Sequence, residues 1–181
     1  MRITGGILCG REVKRPPGVI RPAMDMMRES VFGVLSNQFG GSLEGLSFLD
    51  LFTGSGTIAL EAASRGASEI EAVEGDAGKR KILLENIAMS PVRIACHFIS
   101  VELYIKRARR AFDIIFCDPP FPYKYKSELV QSIAASPLMA KEGSLLLIHR
   151  PDREKLLSGD EIVLKETRKY GRSEVDFFKK N

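Results

Sequence analysis

The chain has 181 residues, 44% of them hydrophobic and 28% charged, with a formal net charge of +4. That length favours one domain, residues 1–181, and the even composition excludes a disordered or low-complexity chain. No apolar run approaches the ~20 residues of a membrane span, so no membrane partner is expected.

The opening stretch, "MRITGGILCG", lacks the longer apolar core of a signal peptide. Cys9, Cys96 and Cys117 are odd in number and show no C-x-x-C spacing. Reduced thiols in a cytoplasmic protein are expected, with no metal. Residues 1–20 hold Gly5-Gly6, Gly10 and Pro16-Pro17-Gly18 between short β-like pieces. They predict a small N-terminal β-hairpin or extended arm outside the core, with residues 21–181 as the α/β core. The arm is basic: Arg2, Arg11, Lys14, Arg15 and Arg21 face one acid, Glu12. From Pro22, Met24, Met27, Val31, Leu35 and Phe39 recur at helical spacing until Gly40-Gly41.

Strands and helices then alternate. Strands are expected at 46–52, 69–74, 92–99, 112–117 and 143–149, and helices at 55–65, 77–89, 101–110 and 127–136. The tail reads as two strands around Gly171-Arg172. This order implies right-handed βαβ units, a mostly parallel sheet with helices on both faces, and an antiparallel pair at one edge.

In an open sheet of this kind, ligands bind beyond the carboxyl ends of the strands. The first strand runs into Asp50-Leu51-Phe52-Thr53-Gly54-Ser55-Gly56, and Gly54, Gly56 and Ala59 fit G-x-G-x-x-A. Glu74 ends the second strand and is placed to take two ribose hydroxyls. A nicotinamide dinucleotide would set its pyrophosphate on this loop. Asp50 would repel that group but suit the ammonium of S-adenosylmethionine.

The fourth strand ends in "FCDPPF", Phe116 to Phe121. Two prolines fix two φ angles and remove two donors. An exocyclic amine on a base is conjugated with its ring and is a poor nucleophile. Acceptors on its N–H groups would localise the lone pair: the Asp118 carboxylate is one and the Pro119 carbonyl the other. Pro119 and Pro120 hold the turn, and Phe121 can stack on the base. Positioning and preorganised charge would supply the rate.

"DLFTGSG", "VEGD" and "FCDPPF" in this order resemble the amino-group methyltransferases that use S-adenosylmethionine. "MRITGG" and "RPAMDMMRESVF" resemble, within them, the bacterial small-subunit ribosomal RNA guanine-N2 methyltransferases. The resemblance covers nearly the whole chain. It implies a Rossmann-like class I methyltransferase fold with seven strands. It also implies a guanine in 16S ribosomal RNA as substrate, in an assembled or partly assembled 30S particle. A monomer is expected. By position, Asp50, Phe52, Gly54, Ser55, Gly56 and Glu74 would bind the cofactor. Arg21, Asp25 and Arg28 match the upstream motif beside it. Arg2, Arg11, Lys14 and Arg15, with the run Lys106 to Arg110, would hold RNA phosphates. The chain departs from the family at two places. Ser100-Val101-Glu102 replaces an Asp or Asn after the third strand, and His149-Arg150 replaces an acid after the fifth. His149 reads as a strand-end residue without catalytic duty.

Rival readings are a DNA adenine-N6 methyltransferase, a protein-glutamine methyltransferase, a nicotinamide-dependent oxidoreductase and a non-catalytic RNA-binding module. The first needs a target-reading segment for which 181 residues leave little room. The second usually carries N-P-P-Y. Asp50 and the double proline argue against the third, and the intact motif residues against the fourth.

Overall fold

A computed structural model describes residues 1–15 and 23–181. Arg21, Pro22 and the Pro16-Pro17-Gly18 stretch lie outside the described residues. Helix α1 (Ala23–Gln38) precedes β1 (Ser47–Leu51), α2 (Thr57–Ser64), β2 (Glu69–Val73), α3 (Arg80–Ile87), β3 (Ile94–His97) and α4 (Val101–Arg107). Then follow β4 (Ile114–Cys117), α5 (Lys126–Ala134), β5 (Leu145–Pro151), β6 (Ile162–Tyr170) and β7 (Ser173–Lys180). The sheet order is β3-β2-β1-β4-β5-β7-β6. The sheet is mixed: β3, β2, β1, β4 and β5 run parallel. β7 pairs antiparallel with both β5 and β6. The order reverses between β1 and β4, and that is the switch point where such sheets open a crevice.

The central strands β1, β4 and β5 are buried almost throughout because both faces are covered. Their two-residue period sorts the side chains. Phe48, Phe116, Leu145 and Leu147 join α1 and α2 in one cluster. Leu49, Leu51, Ile115, Cys117, Leu146 and Ile148 join α4 and α5 in the other. Several elements are shorter than the sequence pattern predicts. β3 is an edge strand whose ladder spans only Ile70 to Val73 of β2. Helix α4 stops at Arg107 because Ala108 turns extended, with ψ 138°. Arg110 instead pairs with Glu69 and Glu71 and covers the Phe112 ring, its guanidinium 4.7 Å from the ring centre.

The N-terminal segment corrects an expectation. It is not an arm outside the core: Ile3, Leu8 and Val13 are buried in the first cluster. In place of a hairpin ladder it has one antiparallel bridge, Arg2 with Glu12. Its middle lies on the end of α2. The Ile7 N–H donates to the Ser64 carbonyl at 2.9 Å, and the Ser64 hydroxyl donates to the Gly5 carbonyl at 2.5 Å. A Cβ on Gly6 would fall 1.9 Å from the Ser64 carbonyl oxygen, and its φ of 75° suits glycine alone. The "TGG" of the opening motif is therefore a packing requirement.

Candidate active site

Beyond the carboxyl ends of β1, β2 and β4 lies a cavity of about 710 Å³, within the range of cofactor sites. Its walls include Phe52, Glu74, Ser100, Glu102, Asp118 and His149. Four of its lining residues are acidic (Glu74, Asp76, Glu102 and Asp118), and one, Lys79, is a permanent cation. Such a wall suits a positively charged ligand and repels a pyrophosphate.

The loop after β1 is held by two carboxylates, Asp50 within β1 and Glu74 just after β2. Period two puts Asp50 on the α2 face of the sheet. Its Oδ2 accepts from the Thr53 hydroxyl at 2.5 Å and from the Ala59 N–H at 3.1 Å. One free donor of the α2 N-terminus is thereby occupied by an acid. Burial pushes the Asp50 carboxyl up to about 7, against the lowering effect of those two bonds. Asp50 lies beneath the loop and is 1% exposed. Glu74 accepts from the Gly54 N–H at 2.8 Å and the Asp76 N–H at 2.8 Å, and Lys79 stands 3.5 Å away. Gly56, at φ 79°, lets α3 approach: a Cβ there would meet Leu83 at 2.7 Å. The Ser55 carbonyl accepts from Asn86, so Ser55 also ties the loop to α3. Phe52 takes φ 61°, a strained value for an aromatic residue. It turns its ring onto the cavity wall against Tyr123, centroids 5.7 Å apart.

Asp118 follows β4 on the same rim. The register pairs Cys117 with Ile148, so the next residues, Asp118 and His149, also face each other. His149 Nδ1 lies 2.8 Å from Asp118 Oδ1. A carboxylate only accepts, so Nδ1 carries the proton. The imidazole is 4% exposed, and among the described residues its Nε2 has no hydrogen-bond partner. Its ring meets Phe121 edge-on at 5.4 Å. The sequence singled out His149 as a strand-end residue but did not pair it with Asp118. The signal was present: His149 follows "LLLI" as Asp118 follows "IIFC".

Lys126 was missed. Its ammonium is 2% exposed and donates to the carbonyls of Phe121 at 2.9 Å and Tyr123 at 2.6 Å. It also pairs with Glu154 at 2.9 Å, clasping the turn after Asp118. Ser100 caps α4 through the Leu103 N–H, while Glu102 accepts from the Tyr123 hydroxyl at 2.6 Å.

Not every expected residue meets the cavity. Arg28 is 1% exposed. It bonds Glu61 at 3.3 Å, the Arg2 carbonyl at 2.9 Å and Asp25 at 2.9 Å. Glu61 also accepts from the Thr4 N–H at 2.8 Å. Asp25 and Arg28 thus tie α1, α2 and the N-terminal segment together, and neither lines the cavity. Arg2, Arg11, Lys14 and Arg15 are exposed. Lys14 and Arg15 share a hollow with Lys79 and Lys81, next to the cavity through Lys79. Arg2 and Arg11 lie apart from it.

Comparison with known proteins gives the chain its relatives. The family model described as Conserved hypothetical protein 95 matches residues 1–179. YlbH of Bacillus subtilis, provisionally named an rRNA methyltransferase, is 28% identical over 99% of both chains. Ribosomal RNA small subunit methyltransferase D of Escherichia coli is 30% identical over 78% of this chain and 71% of its own. A hypothetical protein of Thermus thermophilus superposes with a TM-score of 0.83 at 28% identity, over 98% of each chain. With a matched model spanning the chain and a relative of that identity, the protein belongs to the Conserved hypothetical protein 95 family, together with ribosomal RNA small subunit methyltransferase D.

Proposed function

We propose that the protein transfers the methyl group of S-adenosylmethionine to the exocyclic N2 amine of a guanine in 16S ribosomal RNA. It does so as a cytoplasmic monomer acting on an assembled or partly assembled 30S particle. The observation that carries this reading is Asp118, held by His149 on the rim of an acid-lined cavity and followed by two prolines.

The cofactor supplies an electrophilic methyl on a sulfonium. The carboxylates of the lining fit that cation, and Glu74 is the group to bind its ribose. Asp50, Phe52, Gly54, Ser55 and Gly56 shape the loop at its methionine end. Asp118 accepts one N–H of the guanine amine and the Pro119 carbonyl the other, which localises the lone pair. Phe121 fixes the plane of the base. The His149 Nδ1–H keeps the Asp118 carboxylate in one orientation, so no reorganisation is needed when charge develops on the amine. A paired guanine must leave its stack to reach this cavity.

The test uses labelled S-adenosylmethionine with small subunits, and separately with naked 16S RNA, both from cells lacking the gene. Label in N2-methylguanosine after digestion is expected. Label in N6-methyladenosine, or none in RNA, would overturn the reading. Asp118→Ala is expected to abolish transfer and leave cofactor affinity nearly intact. Equal turnover in that variant would remove Asp118 from the reaction.

A further inference from the structure

A second cavity, of about 610 Å³, opens between α4 and α5 and shares Glu102 with the first. Ile105 and Leu129 floor it, and Tyr123 and Tyr125 wall it. The two rings meet at 84° with centroids 6.2 Å apart, an L-shaped corner. Tyr123 is fixed by its bond to Glu102 and backs onto Phe52 of the first cavity. One aromatic partition therefore separates the two spaces. Tyr125 is 63% exposed, a large ring standing in solvent.

We propose that this corner seats the nucleobase next to the target guanine on the same RNA strand. The inference rests on the RNA methyltransferase reading above. Flipping a base out of a strand leaves its neighbour without a stacking partner. An exposed tyrosine face beside the target cavity replaces that partner, and every base has a π-face to offer. The charges agree. Lys106 lines the corner, and Lys124 between the tyrosines and Arg107 on α4 are exposed. Of the basic run, Arg110 is committed to Glu69 and Glu71 and Arg109 bonds the Ala108 carbonyl. Lys106 and Arg107 are left to follow the phosphates. Glu128, also in the wall, offers an acceptor for an amino or imino edge. Glu102 is already engaged by Tyr123.

The experiment measures methyl transfer to small subunits from cells lacking the gene, with wild type, Tyr125→Phe and Tyr125→Ala. Tyr125→Ala is expected to raise KM for the particle about tenfold, the loss of one stacked base. Cofactor affinity and melting temperature should stay unchanged. Tyr125→Phe keeps the π-face and should stay within about twofold of wild type. Unchanged KM in Tyr125→Ala overturns the proposal. In parallel, Tyr125→p-azidophenylalanine is photolysed on the particle and the cross-link mapped by primer extension. A cross-link to a nucleotide adjoining the methylated guanine supports the seat. A cross-link to a ribosomal protein, or to distant RNA, overturns it. Failure of wild type to methylate any guanine would be a failure of the functional reading itself. The wild-type control separates the two.

Discussion

At the scale of single residues, the site depends on how two carboxyls are held. Asp118 is fixed from outside, by an imidazole on the neighbouring strand. His149→Ala should lower kcat about 100-fold, the cost of a misplaced reacting group. Cofactor affinity should change little. His149→Asn, whose amide can still donate to Asp118, should recover part of the loss. Equal kcat in all three proteins would leave His149 a packing residue. Asp50 is governed by burial, which raises its carboxyl to about 7. The folded state therefore keeps a proton between about pH 4 and pH 7 that the unfolded chain releases, and stability falls as pH rises across that window. Binding of a cationic cofactor has the opposite sign, because it favours the ionised form. Calorimetry should find affinity for S-adenosylmethionine rising through about pH 7, and Asp50→Asn should flatten both profiles. Glu74 and Asp118 were legible in the sequence because each ends a strand-like run, which places it on the rim. His149 ends such a run too. Its partner becomes visible only when the β4–β5 register is known, and no local pattern encodes register across 31 residues.

At the scale of elements, the turn after Asp118 is the one on which the proposed chemistry depends. Its prolines fix φ angles but supply no donors, so the fastening comes from Lys126 at the start of α5. The buried ammonium satisfies two carbonyls and meets Glu154 in the chain after β5. Hydrogen bonds to a charged group contribute about 1.5–3 kcal/mol each, and here they compete with the cost of burying the ammonium. Lys126→Met should therefore lower stability by roughly 2–3 kcal/mol. Faster hydrogen exchange should be confined to residues 118–125 and the start of α5. Uniform exchange across the sheet would mean that the clasp is global. The alternation of strands and helices was readable because each apolar run has a clear period. The N-terminal segment was not, because its glycines read equally as a loose arm and as close packing. Only the approach of Gly6 to the end of α2 decides between them. Arg28 belongs to the same class. A basic residue on a helix face reads as a ligand group or an ion pair until Glu61 is seen opposite it.

At the scale of the whole molecule, charge is sorted by site. The interior of the first cavity is acidic, while its shoulder at Lys14, Arg15, Lys79 and Lys81 is basic. A net charge of +4 does not describe either. On the proposed function, the sorting would separate two ligands of opposite sign: a sulfonium cofactor inside and a polyanion outside. It follows that salt should weaken the two unequally. Lys14 now pairs with Glu85 at 3.0 Å, both partners well exposed, and such a pair contributes little and exchanges readily. A phosphate can take its place. Each phosphate neutralised on a single strand adds about −0.7 to the slope of log affinity against log salt. The double variant Lys14→Gln, Arg15→Gln should therefore flatten the RNA slope by roughly 1.4, while S-adenosylmethionine affinity stays within error of wild type. An unchanged slope would place the RNA path elsewhere, along Lys106 and Arg107. A parallel loss of cofactor affinity would mean that the basic shoulder and the acidic cavity are one site.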